Sequence, residues 1–194
     1  MSDLSFAILS CSLNAESRSF QLAKESERRL SAGGHGVTLV DLREQRLPAF
    51  DDDLAYEHGS LASLNEVIRS ASGVLLAAPV YNWSIGSAAK NLIEITGSTD
   101  PLRSLTSPWF DQFVTFVVAG GLPQSYTAHT SLAASLMLDF KCVINQYHAY
   151  TTGQDWVEDR LGEEASERLD RTLRVKVELA ERLRNRTYRS TWQV

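Results

Sequence analysis

Residues 4–19 read LSFAILSCSLNAESRS. Leu4 to Leu9 is an apolar run of strand length, broken only by Ser5, and it is too short for a helix. Polar residues then carry the chain from Ser10 to Ser19, and the amphipathic stretch from about Ser17 to Leu30 reads as a helix. Gly33-Gly34 ends that helix, because glycine accepts the left-handed backbone a helix stop often needs. The strand–turn–helix pattern recurs along the chain. Val37–Leu42, Gly73–Ala78 (stopped by Pro79), Gln112–Ala119 (stopped by Gly120-Gly121) and Cys142–Tyr147 read as further strands. Helical stretches lie near 61–71, 86–97, 125–139 and 163–184. In the last of these, Ala165, Leu169, Leu173, Val177 and Ala180 keep one apolar stripe. Glu164/Arg168, Glu167/Arg171, Asp170/Arg174 and Glu178/Arg182 stand four apart on its solvated face.

Unbroken apolar strands separated by helices imply parallel pairing with both sheet faces covered. The expected fold is therefore a single α/β domain over residues 1–194, with 185–194 as a possible tail. It is a three-layer α/β/α sandwich on a five-stranded parallel sheet of order 2-1-3-4-5. In that topology ligands bind outside the carboxyl ends of strands one, three and four.

Composition agrees and excludes little else. The chain has 194 residues, a net charge of −5 and 43% hydrophobic residues, as expected of a soluble globular domain. Mild acidity argues against nucleic acid as a partner. No apolar run approaches the ~20 residues that span a bilayer, and Met1 to Ser5 lacks the basic start of a signal peptide. Two cysteines, Cys11 and Cys142, are too few for a disulfide framework and suit a reducing, cytoplasmic compartment. The triplet Asp51-Asp52-Asp53 reads as a solvated loop, since adjacent side chains rarely converge on a metal.

Three loops sit where the fold puts ligands. In the first, Ser12, Asn14, Ser17 and Ser19 supply donors and Arg18 a positive charge at a helix N-terminus, more than one N-cap needs. A phosphate monoester is the natural guest. Neither G-x-x-x-x-G-K-[ST] nor G-x-G-x-x-G occurs there, so triphosphate and dinucleotide fingerprints are absent. Cys11 with Arg18-Ser19 approaches the cysteine-phosphatase pattern C-x5-R-[ST], and Asp100 stands as a possible acid, but the spacing here is C-x6-R. The second loop, Pro79-Val80-Tyr81-Asn82-Trp83-Ser84, either lines a flat aromatic ligand or roofs the core and packs on a partner subunit. In the third, Gly120-Gly121 permits close approach to a ligand or serves a sharp turn. His129 and His148 read as surface or interface residues.

Taken in order, Ser12 to Ser19, Pro79 to Ser84 with Ala89-Lys90-Asn91-Leu92, and Val118-Ala119-Gly120-Gly121 resemble the phosphate loop, the P-x-Y-N-x-S segment and the A-T-G-G turn of NAD(P)H-dependent FMN reductases. That family is flavodoxin-like. The resemblance implies that Ser12, Ser17, Arg18 and Ser19 hold the FMN phosphate, with Asn14 where the family often has Arg. It implies that Pro79, Val80, Tyr81, Asn82, Trp83 and Ser84 line the isoalloxazine largely through main chain. Gly120 and Gly121 then cover the pyrimidine side. Ser10-Cys11 replaces the usual glycine before Ser12, and Trp83 stands where the family usually has a small residue. The resemblance further implies NAD(P)H as reductant, free flavin, a quinone or an azo compound as acceptor, and a homodimer or homotetramer. The alternatives are a cysteine-dependent phosphatase using Cys11, Arg18 and Asp100, and a flavin-binding electron carrier without turnover.

Overall fold

The strands are apolar at successive positions because alternate side chains enter different layers, both of them dry. In the computed structural model, which describes residues 4–99 and 106–186, strand β1 (Ser5–Ser10) leads into helix α1 (Arg18–Ala32). Strand β2 (Gly36–Asp41), a short turn of helix α2 (Leu42–Gln45) and helix α3 (Leu61–Ser70) follow. Strand β3 (Gly73–Tyr81) folds back through β4 (Ser84–Ile85) into helix α4 (Ser87–Gly97). Next come β5 (Phe113–Ala119), α5 (Thr130–Phe140), β6 (Val143–Ile144) and β7 (Ala149–Thr151). A hairpin of β8 (Trp156–Val157) and β9 (Arg160–Leu161) precedes α6 (Glu163–Leu183).

The main sheet runs β2-β1-β3-β5-β6, with β7 also on β5 and β4 on β3. Every pairing in it is parallel except β3 with β4. Phe6, Ile8, Leu75, Ala77 and Val117 pack under Leu22, Leu30, Leu169 and Leu173 of α1 and α6. Ala7, Leu9, Leu76 and Phe116 pack under Leu64, Leu92, Leu132 and Leu136 of α3, α4 and α5. This is the flavodoxin-like α/β/α sandwich.

Several boundaries differ from the expectation. The fifth strand, expected at Cys142–Tyr147, is two short strands that lie in turn along β5. Asn145 divides them: its Oδ1 accepts from the Tyr147 amide at 2.9 Å, and its Nδ2 donates to Thr115 Oγ1 and the Thr172 carbonyl, each at 3.3 Å. Pro79 does not stop β3, which continues to Tyr81. The helix expected from residue 125 begins at Thr130, after a 3-10 turn over Pro123–Thr127. Gly34, at φ +82°, takes the left-handed place just beyond α1. The Asp triplet is exposed; Asp51 accepts from the amides of Asp53 and Ala55, while Asp52 accepts from the Tyr56 hydroxyl. Residues 187–194 of the expected tail lie outside the described residues.

Helix α6 buries Ala165, Leu169, Leu173 and Ala180 as its stripe requires. Of the expected four-apart pairs, Glu178–Arg182 forms at 2.6 Å. Arg168 instead pairs with Asp155, and Asp170 with Arg29 of α1. The stripe also contains a lysine. Lys176 is fully buried, its Nζ donating to the Val74 carbonyl at 3.1 Å and lying 4.8 and 5.1 Å from the ring centres of Phe6 and Phe113.

Candidate functional site

The sheet register brings the three ligand-suited loops together. Ser10 is paired with Ala77, and Pro79 with Ala119. Neighbouring strands lie ~4.8 Å apart, so the loops after β1, β3 and β5 leave the sheet edge side by side. The Cys11 amide donates to the Ala77 carbonyl at 2.8 Å, holding the root of the first loop against β3.

That loop is folded by its own polar groups. The Asn14 amide donates to Ser12 Oγ at 3.2 Å, and Asn14 Oδ1 accepts from the Glu16 amide at 3.0 Å. Ser17 is the N-cap of α1, its Oγ accepting from the Phe20 amide at 3.1 Å. Ser17 Oγ and Ser19 Oγ share a hydrogen bond of 3.3 Å. Ser12, Ser17 and Ser19 are buried, whereas the Asn14 side chain is exposed and shapes the turn. Helix α1 carries no acidic residue in its first turn, so the positive end of its dipole is left uncompensated. Ser10 Oγ lies buried at the end of β1 with no partner among the described residues. Ser12 Oγ in turn donates to the Asn14 carbonyl at 3.5 Å. A cradle of three buried hydroxyls at an uncompensated helix N-terminus fits a phosphate monoester.

Arg18 stands apart from this arrangement. Its Nη1 donates to Asp159 Oδ1 at 3.1 Å and Nη2 to the Glu158 carbonyl at 3.1 Å, while the guanidinium lies 4.9 Å from the centre of the Trp156 ring. Nη1 also donates to Gln21 Oε1 at 2.5 Å. The charge expected at the phosphate is held by the β8–β9 hairpin instead.

Cys11 is buried in the core beneath α3 and α4, its thiol donating to the Leu9 carbonyl at 3.4 Å. Burial pushes this thiol up to about 12. A thiol that stays protonated at neutral pH is no nucleophile for phosphorus. The phosphatase alternative loses its central residue, and Asp100 lies outside the described residues.

The second loop is a two-residue hairpin. Tyr81 pairs with Ser84, and Asn82 and Trp83 between them both take left-handed backbone, at φ 49° and 64°. Such a turn favours Asn-Gly, and a tryptophan in the glycine position costs about 1–2 kcal/mol. The indole is 62% exposed and Tyr81 56% exposed, so no core packing offsets that strain. Ser84 is exposed as well, while the Val80 side chain is half-buried against the core. The Pro79 carbonyl accepts from the Gly86 amide at 2.9 Å, closing the hairpin onto α4. Asn91, in the second turn of α4, donates to the Pro48 carbonyl and accepts from the Phe50 amide, each at 2.8 Å. It braces the chain between β2 and α3. Trp83→Gly is expected to raise the melting temperature of the ligand-free protein by about 2–4 °C through relief of the turn. A thermal melt of the two proteins checks this.

In the third loop the two glycines differ. A Cβ on Gly120 would lie 2.2 Å from Tyr150 Oη, whereas one on Gly121 would meet nothing within 4 Å. Tyr150 Oη donates to the Leu122 carbonyl at 2.6 Å and lies 2.7 Å from Ser125 Oγ, which fixes the turn. Gly120→Ala is expected to destabilise the protein by about 1–3 kcal/mol, as an overpacked site does, and Tyr150→Phe in the same chain to restore part of that loss. Denaturant unfolding of the single and double variants measures it.

His129 is buried and His148 half-buried. Their rings lie 4.1 Å apart, tilted by 40°, and the His129 ring lies 5.3 Å from that of Phe116. Burial first, and then His148, lowers His129 to about 4, so it is neutral at physiological pH.

The sequence matches the family described as NADPH-dependent FMN reductase over residues 4–155. The chain belongs to this family. It is accordingly an NAD(P)H-dependent flavin oxidoreductase using FMN. All three loops lie inside the matched range. Among solved structures, FerB from Paracoccus denitrificans, a flavoenzyme NAD(P)H:(acceptor) oxidoreductase, is 20% identical with a TM-score of 0.76, over 92% of this chain and 98% of that one. RosB with bound 8-demethyl-8-formylriboflavin-5'-phosphate is 17% identical with a TM-score of 0.75, over 95% and 82%. An azoreductase from Bacillus anthracis str. Sterne is 13% identical with a TM-score of 0.60, over 92% and 99%. At these identities the likeness establishes the shared fold. No curated protein sequence matches this chain.

Two features of the site escaped the sequence. Neither the hairpin that captures Arg18 nor the Tyr150 hydroxyl that fills the space beside Gly120 carries a turn glycine or a motif to announce it. Among the described residues, no helix is long and apolar enough to cross a membrane.

Proposed function

We propose that Ser12, Ser17 and Ser19, with the free amides of the first turn of α1, bind the FMN phosphate, and that Asn14 holds their loop in shape. Arg18 faces the phosphate only by leaving Asp159. Pro79, Val80, Tyr81, Asn82, Trp83 and Ser84 line the isoalloxazine, mainly through main-chain groups, and Gly120 and Gly121 cover its pyrimidine side. The chemistry supplied by FMN held there would be acceptance of hydride from NAD(P)H and onward electron transfer to an acceptor. The protein positions both partners and keeps water from the reacting face. No side-chain acid or base at the crevice is needed for hydride transfer.

The observation that carries this reading is the register of β1, β3 and β5, which sets a buried serine cradle, an aromatic hairpin and an open glycine turn next to one another. The exposed rings of Tyr81 and Trp83 favour a planar aromatic acceptor: free flavin, a quinone or an azo compound. NAD(P)H and acceptor then use the crevice in turn. Exposed Tyr81 and Trp83 also suit a homodimer or homotetramer with the crevice near the interface. Two buried, unpaired cysteines fit a cytoplasmic setting.

Steady-state oxidation of NADH and NADPH by the FMN-loaded protein, with free FMN, a naphthoquinone and an azo dye as acceptors, tests the reading. Turnover with at least one of the three is expected. FMN binding without NAD(P)H oxidation by any of them would establish the electron-carrier alternative.

A further inference from the structure

Arg18 is the first residue of α1, directly after the Ser17 cap, so its side chain springs from the rim of the phosphate cradle. Besides its bond to Gln21 of α1 at 2.5 Å, three contacts with the β8–β9 hairpin draw it away: the Asp159 carboxylate at 3.1 Å, the Glu158 carbonyl at 3.1 Å and the Trp156 ring at 4.9 Å. Asp159 is 86% exposed, and its ion pair with Arg18 is the one it forms among the described residues. Exposed pairs of this kind are worth only about 0–1 kcal/mol. A phosphate monoester carries nearly two charges and accepts from a guanidinium through two oxygens at once, so it outbids a single exposed carboxylate for the same cation. The hairpin tip that carries Asp159 has Glu158 in left-handed backbone, at φ 54°.

We propose that Asp159 competes with the flavin phosphate for Arg18, so that the β8–β9 hairpin sets how strongly this protein favours FMN over unphosphorylated riboflavin. The inference rests on the phosphate-site reading of Ser12 to Ser19. On FMN binding, Arg18 exchanges Asp159 for the phosphate, while riboflavin leaves the Arg18–Asp159 pair intact. Asp159 and Arg18 are thus specificity residues at the phosphate end, and the affinity for FMN is held below what the cradle with an uncommitted Arg18 would allow. The hairpin starts just after the family match ends at residue 155.

Titration of FMN and of riboflavin into the full chain, followed by flavin fluorescence, tests the exchange in wild type, Asp159→Asn, Arg18→Gln and the double variant. Asp159→Asn is expected to tighten FMN by about 2–5-fold, the equivalent of one exposed ion pair, with riboflavin unchanged. Arg18→Gln is expected to weaken FMN and to abolish the gain from Asp159→Asn. Both residues are on the surface, so all four proteins fold. The inference is overturned if Asp159→Asn leaves FMN affinity unchanged, if FMN and riboflavin shift together, or if the gain survives without Arg18. Wild-type protein binding riboflavin as tightly as FMN overturns the phosphate-site reading itself, and the exchange with it.

Discussion

Ser17→Asp is expected to weaken FMN binding by about 100-fold or more while leaving the fold intact. Aspartate caps a helix as well as serine does, so the Phe20 amide keeps its acceptor and α1 keeps its start. The new carboxylate, however, faces the phosphate inside a buried cradle. Two like unit charges ~4 Å apart repel by about 4 kcal/mol at an effective dielectric of ~20, or roughly three decades of affinity before local relaxation. Riboflavin, lacking the phosphate, is expected to lose far less. Fluorescence titration of both flavins measures the split, and unchanged FMN affinity refutes the assignment of the cradle.

The second large effect concerns stability. Burial lowers Lys176 to about 7 from an ordinary value of 10.5. The groups around its head are the Phe6 and Phe113 rings and the Val74 carbonyl; among the described residues no carboxylate pairs with it. Above pH 10.5 the lysine is neutral folded and unfolded, and it costs the fold nothing. As pH falls from 10.5 toward 7, the unfolded chain takes up a proton that the folded chain refuses. Stability therefore drops by about 1.4 kcal/mol per pH unit, and below 7 the penalty levels off. The accumulated cost is about 5 kcal/mol. Lys176→Met keeps most of the stem's volume and removes the charge. It is expected to raise stability at pH 7 by several kcal/mol, less the lost bond to Val74, and to flatten the slope of stability between pH 7 and 10. Denaturant unfolding across that range checks both. A variant no more stable than wild type at pH 7 would contradict the account.

What was legible in the sequence was what burial writes into it. The runs at Leu4–Leu9, Gly73–Ala78 and Gln112–Ala119 are apolar at nearly every position, with Ser5, Gln112 and Thr115 the polar exceptions, because each strand is covered on both faces. Their order was enough to bring the loops after β1, β3 and β5 to one end of the sheet. Turns without glycine were not legible. Asn82-Trp83 and Glu158-Asp159 both make tight hairpins, and neither shows the Asn-Gly or Asp-Gly signal that marks one. Cys142–Tyr147 has strand composition throughout, yet one side chain, Asn145, turns the chain out of the ladder. Lys176 occupies a buried position of the α6 stripe that periodicity alone assigns to an apolar residue. Arg18 directly follows the Ser17 cap, but its partner lies 141 residues away at Asp159. Local sequence carries charge; it does not carry the long-range contact that engages it.

The central claim is that the loops after β1, β3 and β5 form one FMN site at which NAD(P)H is oxidised. Adding FMN to purified protein stripped of flavin, with NADPH or NADH present and absorbance followed at 340 nm, tests it most directly. The account predicts saturable FMN binding and oxidation of the reduced nucleotide that depends on FMN. Protein that binds no FMN and leaves the nucleotide unoxidised would contradict it.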